Sequence, residues 1–260
     1  MRKAFSIIIY IFAAIGFVLI VVYIAVQLGW TKTTGMVDRQ HDYFNSQSST
    51  VDTSWAQGEE WKVLKEAIIK DKIVIKKAAT VAIIDPRLIV ATLIVEQLRL
   101  FNDNREIFKT IFAPLKILGN QSQFSWGVMG IKQDTAIEVE KRDEWHMLDY
   151  SATTTDKDSE RFARLTDEHD RYYSYLYAAV LLKETETQWQ NAGFPISGSP
   201  QNYRPEILAT LFNIGFANSK PNANPQVGGA EINIGTSTYS FGGLAGSFYY
   251  SNELLEEFPR

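Results

Sequence analysis

The hydrophobic and polar positions divide the chain into an apolar N-terminal segment, a polar stretch and a long region of helical periodicity. Residues 4–31 carry no charged side chain, and a helix that spans a bilayer needs about 20 apolar residues. Arg2 and Lys3 precede the segment, and positive flanks stay on the cytoplasmic side. The pattern predicts a membrane anchor over residues 1–30. A cleaved signal peptide is the alternative, and both interpretations place the rest of the chain outside the cytoplasm.

Residues 31–58 are rich in Ser, Thr, Gln and Asp and lack sustained periodicity, which predicts a flexible stalk. The globular domain is predicted over residues 59–260. Apolar residues recur at helical spacing from Glu60 to Lys77. Asp85 and Pro86 supply an N-cap and a first helical residue for a second helix, which is apolar nearly all round and is therefore expected to be central and buried.

Residues 104–118 are predicted to form a short helix that Pro114 interrupts. Helical patterns also begin near Asp134 and cover residues 170–190, 205–216 and 241–257, the last ending in an exposed tail. Residues 153–160 are predicted to form a solvated loop, and residues 217–240 have room for one small hairpin. The predicted fold class is mainly α, with about seven helices and long polar loops.

Composition narrows the possible functions. The chain has 26 Lys and Arg against 30 Asp and Glu, for a net charge of −4, which disfavours a strongly basic nucleic-acid binder. It contains no cysteine, so disulfides, thiolate metal sites and cysteine nucleophiles are excluded. The three histidines are scattered. We therefore expect neither a metal site nor a cofactor.

Glu96 is the most informative residue, because it lies within the apolar run LIVATLIVEQL of the second helix. Burial among aliphatic side chains disfavours the charged form of a carboxyl, so a raised pKa is expected. A carboxyl that stays protonated at neutral pH can act as a general acid on a glycosidic oxygen. The alternative is an exposed or ion-paired glutamate, with Arg99 one helical turn away as a partner.

Four segments resemble signatures of one superfamily. VAIIDPRLIVATLIVEQ, at residues 81–97, resembles the first signature of soluble lytic transglycosylases and goose-type lysozymes. SWGVMGI at 125–131, continuing to Thr135 and Ala136, resembles their Ser-x-Gly-x-Met-Gln-Ile loop and the helix after it. LATLFNIG at 208–215 resembles their Ala-x-Tyr-Asn-x-Gly motif, and residues 175–182 resemble the helix between these motifs.

The resemblance implies a lysozyme-like helical domain that cleaves the β-1,4 bond between MurNAc and GlcNAc in peptidoglycan. Glu96 would be the single catalytic acid and base, and the products would carry 1,6-anhydromuramyl ends. No metal or cofactor is implied, and the partners would be glycan strands and the membrane, with the catalytic domain facing the cell wall. The residues implied to contact substrate are Ser125, Gly127, Met129, Gly130, Tyr175, Tyr203, Phe212 and Asn213.

Three alternatives stay open. One is a structural partner in an envelope complex, with Trp189, Phe194 and the Tyr-rich helix as its interface. A lysozyme-like hydrolase that inverts configuration would need a second carboxylate about 6.5–9.5 Å from the first, and the candidates in the acidic segment are Asp134, Glu138, Glu140 and Asp143. A catalytically degenerate scaffold that binds the wall is favoured by two departures from the family pattern, because Gly130 replaces the usual Gln and Phe212 replaces the usual Tyr. Gln97, where the family usually has Ser, is a further departure.

Overall fold

The computed structural model describes residues 52–102, 125–143, 146–148, 157–196 and 204–260, together with isolated positions between residues 10 and 24. Most of the predicted anchor and stalk, and the short helix predicted over residues 104–118, lie outside these residues. Within the described residues, no helix combines the length and hydrophobicity needed to cross a bilayer.

The described ranges contain seven α-helices and two antiparallel hairpins, which confirms the predicted mainly α class. The helices are α1 (Glu59–Ala82), α2 (Pro86–Asn102), α3 (Gln133–Arg142), α4 (Lys157–Thr166), α5 (Tyr172–Asn191), α6 (Pro205–Ile214) and α7 (Phe241–Tyr250). Strands β1 (Ser125–Trp126) and β2 (Ile131–Lys132) form the first hairpin, and β3 (Glu231–Ile234) and β4 (Ser237–Ser240) form the second. The second hairpin lies in the region predicted to hold one, whereas the first was not predicted.

Helix α2 is the centre of the domain, as its all-round hydrophobicity predicts. It packs against α1, α5, α6, α7 and β3, and nearly all of its side chains from Arg87 to Leu98 are buried. The predicted N-cap is confirmed, because the carboxylate of Asp85 accepts the backbone N–H of Arg87 at 2.8 Å. This cap fixes where the helix begins and hence which face carries Glu96.

Arg87 is fully buried and joins α2 to the C-terminal segment. Its guanidinium donates hydrogen bonds to the backbone carbonyls of five residues: Phe248, Tyr249, Ser251, Glu253 and Phe258. Residues 251–258 consequently pack against the domain, and Leu254 and Phe258 are buried. The prediction of a helix to residue 257 with an exposed tail is therefore wrong.

Two further predictions are corrected. Trp55 is 1% exposed, and its ring packs edge-on against Trp61 at 5.0 Å, so the packed domain begins before the predicted boundary at Glu59. Residues 157–160, predicted to be loop, form the first turn of α4. Helix α4 is amphipathic and buries Leu165 and Arg161, a pattern that the high local charge concealed in the sequence.

Candidate active site

Glu96 lies on the buried surface of α2, and only 3% of the residue is exposed. Its Oε2 atom lies 2.6 Å from Nη2 of Arg99, one helical turn further on. The ion pair given as the alternative in the sequence analysis is thus formed. Burial favours the neutral form of a carboxyl, whereas a neighbouring guanidinium favours its charged form, so the two features of this site oppose each other.

Gly130 brings a second motif to the Glu96 carboxyl. It ends the four-residue turn between β1 and β2 and has φ +62°, a backbone conformation that favours glycine. A Cβ atom at this position would lie 2.6 Å from Oε2 of Glu96 and 2.9 Å from its Cδ. The absence of a side chain is therefore what lets the turn lie directly against the carboxyl.

Three contacts hold the turn in place. The side-chain amide of Gln97 donates to the carbonyl of Val128 at 2.5 Å, and the hydroxyl of Ser174 on α5 accepts the N–H of Met129 at 3.4 Å. Gly127 has φ +65°, and a Cβ there would lie 2.0 Å from the carbonyl oxygen of Leu165 and 2.7 Å from the Ser174 hydroxyl. The turn thus packs against α2, α4 and α5.

The other predicted residues of the SWGVMGI motif have mainly structural contacts. Met129 is fully buried, so its side chain presents no surface to a ligand in this structure. The backbone of Ser125 pairs with Lys132 across the hairpin. Trp126 is 2% exposed and packs edge-on against Phe162 at 5.1 Å.

Tyr175 contacts helix α1. Its hydroxyl donates to Asp71 of α1 at 2.7 Å, and the residue is 2% exposed. Burial, and then the hydrogen bond to the Asp71 carboxylate, raise the pKa of Tyr175 well above its usual value. Its described contacts thus make it part of the α1–α5 interface, and none of them reaches Glu96.

Phe212 and Asn213 lie at the end of α6 and fix the approach to the second hairpin. Phe212 is 7% exposed, and its ring stacks on Phe241 at 6.2 Å. The side-chain oxygen of Asn213 accepts the N–H of Ala230 at 2.8 Å, and a Cβ on Gly229 would lie 2.9 Å from it. Tyr203, the remaining predicted contact, lies outside the described residues.

Three of the four candidate second carboxylates are already engaged. Glu138 accepts hydrogen bonds from Arg142 within α3, and Asp143 accepts the backbone N–H groups of Met147 and Leu148. Glu140 receives a two-pronged hydrogen bond from Arg161 at 2.6 and 2.7 Å and the Tyr177 hydroxyl at 2.7 Å. Asp134 lies in the first turn of α3, where a negative charge stabilises a helix.

A cavity of about 390 Å³ lies beside this acidic segment and is lined by residues that include Glu140, Asp143, His146 and Arg161. Glu96 is not among its lining residues. Within the described ranges, no group of three His, Asp or Glu side chains is arranged to hold a metal ion.

Comparison of the chain with models of protein families, with curated proteins and with solved structures finds no match.

The residues that position the turn are not predictable from the sequence pattern. Ser174 lies 45 positions after Met129, and no spacing in the sequence relates a serine of the Tyr-rich helix to the SWGVMGI motif. Gln97 was treated as a departure from the family pattern, whereas the structure gives its amide a partner in the turn.

Proposed function

We propose that this chain is a membrane-anchored peptidoglycan lytic transglycosylase. It cleaves the β-1,4 bond between MurNAc and GlcNAc and leaves 1,6-anhydromuramyl ends. Glu96 is the single acid and base of the reaction, and the lysozyme-like domain faces the cell wall.

The observation that carries the proposal is the contact between Glu96 and Gly130. Glu96 and Gly130 belong to two segments that resemble transglycosylase signatures. They are 34 positions apart in the sequence, since 130 − 96 = 34, yet Gly130 lies directly against the Glu96 carboxyl. A buried carboxyl beside a glycine turn, whose backbone a ligand can approach closely, is suited to general acid catalysis on a sugar.

The chemistry needs only one carboxyl. In its protonated form, Glu96 gives its proton to the glycosidic oxygen as the bond to C1 of the muramyl residue breaks. The carboxylate then takes the proton of the C6 hydroxyl, whose oxygen closes on C1 to form the anhydro ring. The proton is thereby returned to Glu96, and no water is consumed. The engagement of Glu138, Glu140 and Asp143 in structural contacts favours this route over the inverting hydrolase.

Membrane attachment is supported by the uncharged segment at residues 4–31. The described positions Tyr10, Phe17, Ile20 and Ile24 within it are helical and expose large apolar side chains, as a lipid-facing helix does. The intact mass of the protein purified from membranes tests this point. A mass that lacks the first 30 residues would show that they are a cleaved signal peptide and not an anchor.

A second candidate is favoured by a specific observation, the ion pair between Glu96 and Arg99. A carboxylate held against a guanidinium cannot donate a proton until the pair separates. A wall-binding scaffold that has lost catalysis would retain the fold and carry such a pair unchanged.

The deciding experiment is analysis of peptidoglycan digested by the full chain in detergent, with the products identified by mass spectrometry. Anhydromuramyl ends support the transglycosylase, reducing ends point to the hydrolase, and retention on peptidoglycan without any new end supports the scaffold.

Glu96→Gln should abolish turnover because the amide cannot donate or accept the transferred proton. Glu138→Gln is the matched control, since it makes the same chemical change at a carboxylate that is 44% exposed and paired within α3. The control should retain wild-type turnover. A Glu96→Gln enzyme that remains fully active would show that another group is the acid.

A further inference from the structure

The guanidinium of Arg99 uses only part of its hydrogen-bonding edge among the described residues. Nη2 donates to Oε2 of Glu96 at 2.6 Å. Nε, which lies on the same edge, is buried and has no hydrogen-bond partner in the part of the chain that the structure describes. Arginine grips carboxylates with two parallel hydrogen bonds from such an edge. The pair with Glu96 is therefore a one-pronged version of an interaction that can be two-pronged.

This arrangement is not the most favourable one for Arg99. A buried donor without a partner is energetically unfavourable, because its lost hydration is not replaced. The Arg99 side chain is also the more exposed member of the pair, at 14% against 4% for Glu96. Arg99 is thus the partner that can turn outward, and it gains a hydrogen bond if a ligand offers two oxygens.

We propose that Arg99 recognises a carboxylate of the substrate and leaves Glu96 when that carboxylate binds. The inference rests on the proposed function, because peptidoglycan is a glycan whose peptide stems carry carboxylates. Arg99 is a specificity and positioning residue in this scheme. It pairs with the Glu96 carboxylate in the free protein and leaves it when a glycan with stems binds.

Competition between the two carboxylates follows from the geometry. Glu96 and the ligand require the same edge of one guanidinium, so each weakens the binding of the other. On release, the Glu96 carboxyl loses the nearby guanidinium charge, which favours the ionised form that cannot donate a proton.

The test measures binding rather than cleavage. The probe is a GlcNAc–MurNAc tetrasaccharide with peptide stems, made with sulfur in place of the glycosidic oxygens so that it is not cut. A second probe is identical except that its stem carboxylates are converted to amides. Both are titrated by calorimetry into the full chain in detergent, and the ratio of the two Kd values is the readout.

The wild-type chain should bind the carboxylate probe about tenfold more tightly than the amide probe, which corresponds to about 1.4 kcal/mol. Glu96→Gln should increase that ratio, because the internal competitor for Arg99 is removed. Arg99→Gln should reduce it to about one, and Arg99→Lys should restore only part of it, because lysine lacks the two-pronged edge. Arg142→Gln, which removes an arginine from the exposed pair with Glu138, should leave it unchanged.

Several results would overturn the inference. They are an equal affinity for both probes, a preference that survives in Arg99→Gln, a ratio that Glu96→Gln leaves unchanged, and no binding of either probe. The outcome is independent of turnover. Cleavage of peptidoglycan without a carboxylate preference would refute the role of Arg99 and retain the proposed function. A carboxylate preference that depends on Arg99, in a chain that cleaves no peptidoglycan, would support the role of Arg99 and refute the proposed function.

Discussion

Arg99 and Gly130 act on the Glu96 carboxyl in different ways. Arg99 lies against it with a positive charge, which favours the charged form of the carboxyl. Gly130 has no side chain, and this determines how near the turn can come. A side chain at residue 130 should therefore have a measurable effect on stability and on the site.

Replacing Gly130 by alanine separates packing from backbone strain when it is compared with a second glycine. Gly130 has φ +62° and Gly193 has φ +83°, so both alanine variants should lose about 1–2 kcal/mol of stability from the left-handed conformation. A Cβ on Gly193 would meet nothing within 4 Å, whereas one on Gly130 would meet the Glu96 carboxyl at 2.6 Å.

Gly130→Ala should therefore be less stable than Gly193→Ala by about 1–3 kcal/mol, the usual cost of overpacking. It should also lose turnover, while Gly193→Ala should keep it. Urea denaturation gives the stabilities, and the same glycan digestion gives the activities. Equal stability of the two variants would mean that the turn does not lie against Glu96.

The sequence pattern predicts that Glu96 is buried, because a carboxyl in an apolar helical run is rare and helical periodicity places it among buried positions. The pattern does not predict which neighbours Met129 and Tyr175 contact. A methionine or tyrosine has the same residue type whether it faces a groove or a neighbouring helix, and the choice depends on contacts such as Asp71 with Tyr175. Such contacts join residues about 100 positions apart, which no local pattern encodes.

At the level of elements, Arg87 is the link between the central helix and the end of the chain. Its five carbonyl acceptors lie on α7 and on residues 251–258. The sequence predicted the α2 N-cap from Asp85 and Pro86, but it gave no sign that a residue beside the cap would bind the C-terminal segment. An arginine at the start of a helix is ordinarily expected to be exposed, and only tertiary packing buries Arg87.

Arg87→Met should destabilise the domain by about 3–5 kcal/mol, because it leaves buried carbonyls without donors and removes a buried cation. Arg87→Lys should recover part of the loss, since lysine keeps the charge but has only three donors. Thermal or urea unfolding measures both. Amide hydrogen exchange should show the largest loss of protection in residues 251–258 and α7.

Arg142→Met is the control for this prediction. Its side chain is 42% exposed and its ion pair with Glu138 lies within one helix, so the change should cost no more than about 1 kcal/mol. If Arg87→Met were equally mild, the C-terminal segment would not depend on the guanidinium.

At the scale of the whole molecule, buried tyrosine hydroxyls link α5 to α1 and to α3. Tyr175 donates to Asp71 on α1, and Tyr177 donates to Glu140 on α3. Burial first, and then these hydrogen bonds to carboxylates, raise the pKa of both phenols well above the usual value of 10.0. The folded state therefore keeps both protons at a pH at which the unfolded chain releases them.

This difference predicts that the domain loses stability in alkali. Because the folded pKa is the higher one, the stabilisation is complete below about pH 10 and declines as the pH rises from there toward the folded pKa. Each tyrosine should lower the free energy of unfolding by about 1.4 kcal/mol per pH unit above that point. Urea denaturation of the full chain at several pH values between about 9 and 12 measures the slope.

Tyr177→Phe should reduce that slope by the share of one tyrosine, and the double variant with Tyr175→Phe should reduce it by the share of two. Thr185→Val provides the control, because it removes another buried, hydrogen-bonded hydroxyl from α5 that does not titrate. It should shift stability equally at every pH and leave the slope unchanged. A wild-type slope that the tyrosine variants do not alter would mean that the two phenols do not join α5 to α1 and α3 in solution.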